Sequence, residues 1–215
     1  MQEHHLTVPC TARYFTLGAP SPATRQVWFV CHGYGQLADR FLNDFVVLED
    51  PQRYLVAPEG LSRYYVNHSK REVGASWMTC EDRLADIANH VRYLDVLYDQ
   101  IFRTLRRTQV AVTVLGFSQG AATAARWISH GRAIADRLIL WGELLPPDLD
   151  LDSAWGKLED ARLTFVAGRD DAYVDQSRLA EWEALLLDRD IPFETVRYDG
   201  GHWIDPVVLR SLAAV

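Results

Sequence analysis

The chain has 215 residues, 48% hydrophobic and 24% charged, a balance that fits a globular protein needing no disulfide or metal staples. Its formal net charge of −7 argues against nucleic acid as a partner, because the basic pairs Lys70-Arg71 and Arg106-Arg107 are short and isolated rather than a stripe. Residues Met1 to His5 lack the pattern of a signal peptide, no apolar run reaches bilayer length, and Cys10, Cys31 and Cys80 form no CxxC, so one domain over 1–215 in the cytoplasm is expected.

In chain order, short β-like runs alternate with helical patterns, which predicts a mostly parallel sheet with helices on both faces. His5 to Val8 and Arg13 to Leu17 flank Pro9 and suggest an antiparallel hairpin at the sheet edge. Gln26 to Cys31 is continuously apolar in its middle, as a strand covered on both faces should be. Further strands are expected at Tyr54–Ala57, Val110–Leu115, Arg137–Trp141, Leu163–Ala167 and Phe193–Tyr198, which makes eight. A long amphipathic helix is expected from Glu81 to Arg107, with Leu84, Ile87, Val91, Leu94, Tyr98, Ile101 and Leu105 on one stripe. Others are predicted at Gln119–His130, at Asp175–Leu187, and from Asp205-Pro206 onward, where proline follows an N-cap residue. Residues 58–79 and 142–152 read as loops, and no repeat or linker is present.

The strongest chemical signal is Gly116-Phe117-Ser118-Gln119-Gly120. Five residues with three fixed match by chance often, but this run directly follows an apolar strand and opens an alanine-rich helix. A serine on so sharp a turn is lifted off the sheet edge, and glycines two positions either side relieve the crowding. The hydroxyl needs a base to become a nucleophile. Where a serine sits on such a turn, an acid and then a histidine follow it in the chain. Among seven histidines, His130 lies too close, at the far end of the same helix, which leaves His202 in Asp199-Gly200-Gly201-His202 after the last strand. The acid should follow the preceding strand, where Asp170 and Asp171 compete as neighbours.

Taken together, His32-Gly33-Tyr34-Gly35, G-F-S-Q-G, G-x-x-D-x-x-V and G-G-H resemble the phospholipase/carboxylesterase branch of the α/β-hydrolases. That branch includes acyl-protein thioesterases and small bacterial carboxylesterases. The resemblance covers nearly the whole chain, and it implies an eight-stranded α/β-hydrolase sheet without a large cap domain. It selects Asp171, three residues after Gly168 and three before Val174, over Asp170. It also implies an oxyanion hole made by the backbone N–H groups of Tyr34 and Gln119, with His32 holding its loop rather than moving a proton. Trp77 matches a tryptophan that lines the substrate pocket in such enzymes. Tyr64, Tyr65, His68 and Arg71 are further candidates to face substrate, against the alternative of a loop packed by its own aromatics. Trp141 stands where the family usually has a small residue.

The expected activity is therefore hydrolysis of short- to medium-chain carboxylic esters by Ser118, His202 and Asp171. The rivals are a thioesterase or lysophospholipase with a long acyl channel and, more remotely, a non-catalytic binding protein on the same fold. No cofactor is expected, since no G-x-G-x-x-G follows a strand, and no metal, since His4-His5 has no partners at ligand spacing. The expected partner is a small-molecule ester or thioester, with the chain a monomer or homodimer.

Overall fold

The computed structural model describes residues 1–149, 156–158 and 160–214. The expected loop at 142–152 therefore lies partly outside the described residues. Seven strands form the main sheet in the order β1-β3-β2-β6-β7-β8-β9: β1 (Tyr14–Leu17), β2 (Gln26–Cys31), β3 (Arg53–Pro58), β6 (Ala111–Phe117), β7 (Arg137–Trp141), β8 (Arg162–Gly168) and β9 (Phe193–Tyr198). All neighbours are parallel except β1, which runs antiparallel to β3. From β2 the chain goes outward to β3, then returns to lay β6 on the other side of β2. Open α/β sheets carry their sites outside the carboxyl ends of strands at such a reversal.

Two expectations about the sheet are corrected. His5 to Val8 is not a strand, and the edge hairpin does not form. Leu6 and Val8 are exposed, so this segment has no apolar face to bury, and β1 pairs with β3 instead. Residues 58–79 are not an irregular loop. They contain β4 (Ser62–Asn67) and β5 (Glu72–Ser76), a separate two-stranded antiparallel sheet. The eight-stranded sheet is thus a seven-stranded sheet with a detached hairpin.

Helices cover both faces. One face packs α2 (Arg83–Ile101), α3 (Gln119–His130) and α4 (Gln176–Asp188) around Phe29, Leu94, Trp127 and Phe165. The other packs α1 (Ala38–Leu42), the 3-10 turn at Asn43–Leu48 and α5 (Pro206–Ala213) around Trp28, Phe45, Trp141 and Leu209. The long helix is shorter at both ends than the apolar repeat suggests. Leu84 points to solvent with 74% exposure, while Leu105 is buried from an irregular segment beyond the helix. Asp205 caps α5, accepting from the Val207 and Val208 N–H groups, and Asp175 caps α4 through Ser177 N–H. Among the described residues no helix is long and apolar enough to cross a membrane.

Candidate active site

Ser118 is the single residue between β6 and α3, and it takes φ 53° and ψ −123°. A side-chain-bearing residue in so sparsely populated a conformation costs about 1–3 kcal/mol, so the surroundings must hold it there. They do: Ser118 N–H donates to Trp141 O at 2.8 Å, and Ala121 N–H donates to Ser118 O at 2.8 Å. Strand and helix approach so closely that a Cβ on Gly116 would lie 2.1 Å from Gly120 O. One on Gly120 would lie 2.1 Å from Cys31 O on the neighbouring strand. Both glycines of the motif are therefore required sterically. Ala121, Ala124 and Ala125, all buried, continue the close contact along α3.

His202 follows β9, and its Nδ1 lies 2.8 Å from Asp171 Oδ2. Asp171 is buried after β8, and its other oxygen accepts from Tyr173 N–H at 2.9 Å. Asp170 turns its side chain to solvent, while its N–H donates to Gly200 O at 2.9 Å. The imidazole contacts the Phe117 ring at 4.7 Å between centroids and the Tyr173 ring at 4.6 Å. Phe117 immediately precedes Ser118, so the fold brings His202, Asp171 and the serine turn together. Gly142, at φ +68°, lies beneath the imidazole: a Cβ there would come within 3.0 Å of Cε1.

The loop after β2 forms the facing wall. His32 is completely buried, and burial lowers its pKa against the opposing pull of the Gly33 carbonyl and Glu59. As a neutral ring it donates from Nδ1 to Gly33 O (2.8 Å) and accepts at Nε2 from Gly60 N–H (2.9 Å). Both nitrogens are thus committed to holding the loop. The hairpin adds backbone bonds: Gly35 N–H donates to Ala75 O and Ala75 N–H to Gln36 O. Gly33 N–H is also taken, by Gln36 Oε1 at 2.8 Å. The amides on both sides of Tyr34 are therefore engaged. Gln119 occupies the first turn of α3, where backbone N–H groups lack carbonyl partners within the helix. Its side chain is used elsewhere, accepting from Trp77 N–H at 3.0 Å and donating to Met78 O at 2.7 Å.

The residues named from the 58–79 region separate. Tyr64 packs on Tyr34 with 5.4 Å between ring centroids. Tyr65, next along β4, faces the other way, exposed and against His68. Arg71 lies exposed in the hairpin turn at φ 53°. Trp77 is only 2% exposed, and its indole N–H donates to His32 O at 2.8 Å. It stands behind the loop as a strut. Behind it is His90, buried against the Trp77 ring; burial, with the Arg126 charge, brings its pKa down to about 4 against the pull of the Trp77 backbone.

Four contributors had no signal in the sequence. Glu59 is buried after β3, where burial pushes its carboxyl up, but Arg13, the Ala38 N–H and Arg63 outweigh this and hold it below its ordinary value. Tyr173, 77% exposed, and Trp203 stand at the mouth beside His202, and Tyr198 lies below it. At the surface, folding brings Asp82 to His5 at 3.0 Å, so that Glu3, His5 and Asp82 gather their ligand atoms within 4.8 Å. The partner of His5 lies 77 residues away and is invisible to local spacing.

No protein-family model matches the chain, and no curated protein matches it. Solved structures do. Zea mays acyl-protein thioesterase 2 superposes with a TM-score of 0.71 at 16% identity, covering 95% of this chain and 97% of that one. The chain has the α/β-hydrolase fold. Esterase PE8 gives a TM-score of 0.71 at 22% identity, over 94% of this chain and 96% of its own. The phospholipase/carboxylesterase from Dyadobacter fermentans DSM 18053 gives 0.68 at 18%, over 97% and 98%. At these identities the α/β-hydrolase likeness extends to architecture, and the chemistry must be argued from the residues.

Proposed function

We propose that the chain is a serine hydrolase of carboxylic esters, preferring short to medium acyl chains. The observation that carries this reading is a serine held at positive φ on the β6–α3 turn, next in the chain to Phe117, whose ring meets an imidazole that is bonded to a buried carboxylate. Asp171 engages Nδ1 and fixes the tautomer in which Nε2 carries the free lone pair. His202 Nε2 takes the Ser118 proton as Oγ attacks the acyl carbonyl carbon, and Asp171 stabilises the imidazolium. The carbonyl oxygen, now negative, receives the N–H groups of Tyr34 and Gln119 at the positive end of α3. Collapse expels the alcohol with the proton from His202, and a water deprotonated by the same ring then frees the acid and restores Ser118.

The burial of Trp77, Leu144 and Leu145 in the core supports the preference for shorter chains. The resemblance to acyl-protein thioesterases makes a long-chain substrate the competing outcome. The test is labelling by a fluorophosphonate, followed by a p-nitrophenyl ester series from acetate to palmitate. Labelling should vanish in folded Ser118→Ala, and kcat/KM should peak at or below octanoate. Undiminished labelling of that variant would remove Ser118 from its role, and a peak at palmitate would assign the long-chain activity instead.

A further inference from the structure

The loop that carries His202 is held from below by two aromatic side chains. Trp141, at the C-terminal end of β7, is fully buried. Its indole N–H donates to Trp203 O at 3.1 Å and lies 3.3 Å from the Tyr198 hydroxyl. Tyr198, the last residue of β9, sets that hydroxyl 2.7 Å from Gly201 O and 2.6 Å from Trp203 O. These carbonyls belong to the residues immediately before and after His202. A phenol has one proton and serves one carbonyl at a time, so the indole N–H is the second donor. Two donors thus meet two acceptors, and the two rings stand edge to face with centroids 5.8 Å apart.

The rest of the loop is tied sideways to the Asp171 segment by Arg169 N–H to Tyr198 O and Asp170 N–H to Gly200 O, each 2.9 Å. The backbone on both sides of His202 is therefore fixed in two directions. A general base must be held within a fraction of an ångström of its productive position for proton transfer to be efficient. We propose that Tyr198 and Trp141 are positioning residues for His202, clamping the flanking carbonyls so that the imidazole meets Asp171 and Ser118 together. The proposal rests on His202 being the base. The Trp141 side chain is long enough, and ends in an N–H, to reach from β7 to the loop after β9.

The test is Tyr198→Phe, which removes one hydroxyl and keeps the ring, with Trp141→Phe as the second variant. The kcat per fluorophosphonate-labelled site should fall about tenfold while KM stays within about twofold, as for a group acting only in the transition state. A purely structural role would lower Tm and the labelled fraction but leave kcat per site unchanged. The deciding readout needs no turnover: the low-field proton resonance of His202 Nδ1, identified by its loss in His202→Asn. It should be present in the parent protein and broadened or lost in both variants. An unchanged resonance in both variants overturns the positioning role. If the parent shows the resonance but neither labels nor hydrolyses esters, the hydrolase reading fails, and the same comparison still decides whether these two side chains hold the ring.

Discussion

Strands β2 and β6 lie side by side at the centre of the sheet, and their two ends are built differently. Their C-terminal ends run into the His32 loop and the strained turn at Ser118, with the N-terminus of α3 aimed between them. Their N-terminal ends border a hollow of about 280 Å³ lined by Pro20, Pro22, Thr24, Arg25, Arg106 and neighbours. The Arg25 guanidinium there is spent on the carbonyls of Pro22 and Thr24, both at 2.9 Å. A parallel sheet explains the contrast. Every helix that follows a strand begins at the strand's carboxyl end, so free N–H groups and positive potential collect there and carbonyl ends collect opposite. Backbone polarity and strain therefore mark the end that carries Ser118, not the end that carries the hollow.

The comparison makes its largest prediction at the two adjacent aspartates. Asp171→Asn should lower kcat/KM by about 10²- to 10⁴-fold, because the imidazole loses both its tautomer and its counter-charge. Asp170→Asn should cost little, since that side chain faces solvent and only its N–H is used. Steady-state kinetics on both folded variants decides this, and an inactive Asp170→Asn would reassign the acid.

Next comes the packing behind the Ser118 end of the sheet. His90 is neutral when folded, with its pKa brought from its ordinary value near 6.5 down to about 4. The unfolded chain therefore binds the extra proton between those values, and stability falls as pH drops from about 6.5 to about 4. The loss amounts to about 3 kcal/mol from this group. Denaturant titrations of the parent protein and His90→Met across that window should differ by this slope; parallel curves would mean that folding does not lower the His90 pKa.

A smaller effect isolates strain from chemistry. Ser118→Gly and Ser118→Ala should both be inactive, but glycine relieves the positive φ that alanine retains, so the glycine variant should be more stable by about 1 kcal/mol. Equal stabilities would show that the turn stores no strain. The smallest effect is expected at the opposite end of the sheet, where Arg25→Ala and Arg106→Ala should leave kcat/KM within about twofold. A large loss there would give the hollow a role in turnover.

Much of the fold was legible because its signals are local. Continuous apolar runs mark β2, β6, β7 and β8, and the Asp205-Pro206 pair marks the start of α5. The strand–glycine–serine–glycine–helix order marked the Ser118 turn, and G-x-x-D-x-x-V together with G-G-H marked the aspartate and histidine that the fold brings within 2.8 Å. What escaped depends on distant partners. The β4–β5 hairpin carries no strong apolar alternation and gains its place by bonding to the backbone of residues 35 and 36. Residues 5–8 look β-like but find no strand to pair with. The bond from the Trp77 indole N–H to His32 O behind the His32 loop joins residues 45 apart, which no local pattern announces. Glu59, Trp141 and Tyr198 act through contacts that no sequence period announces.

His202 reaches the site from the far edge of the sheet, since β9 pairs with β8 alone and is half exposed along its length. Edge elements with one neighbour open at lower free energy than the body of a protein. Yet β9 is also anchored in the core, with Phe193 packed on one face and Val196 and Tyr198 on the other. The place of His202 beside Asp171 therefore depends on one strand pairing, whereas the Ser118 turn is held by bonds of its own to Trp141 and Ala121.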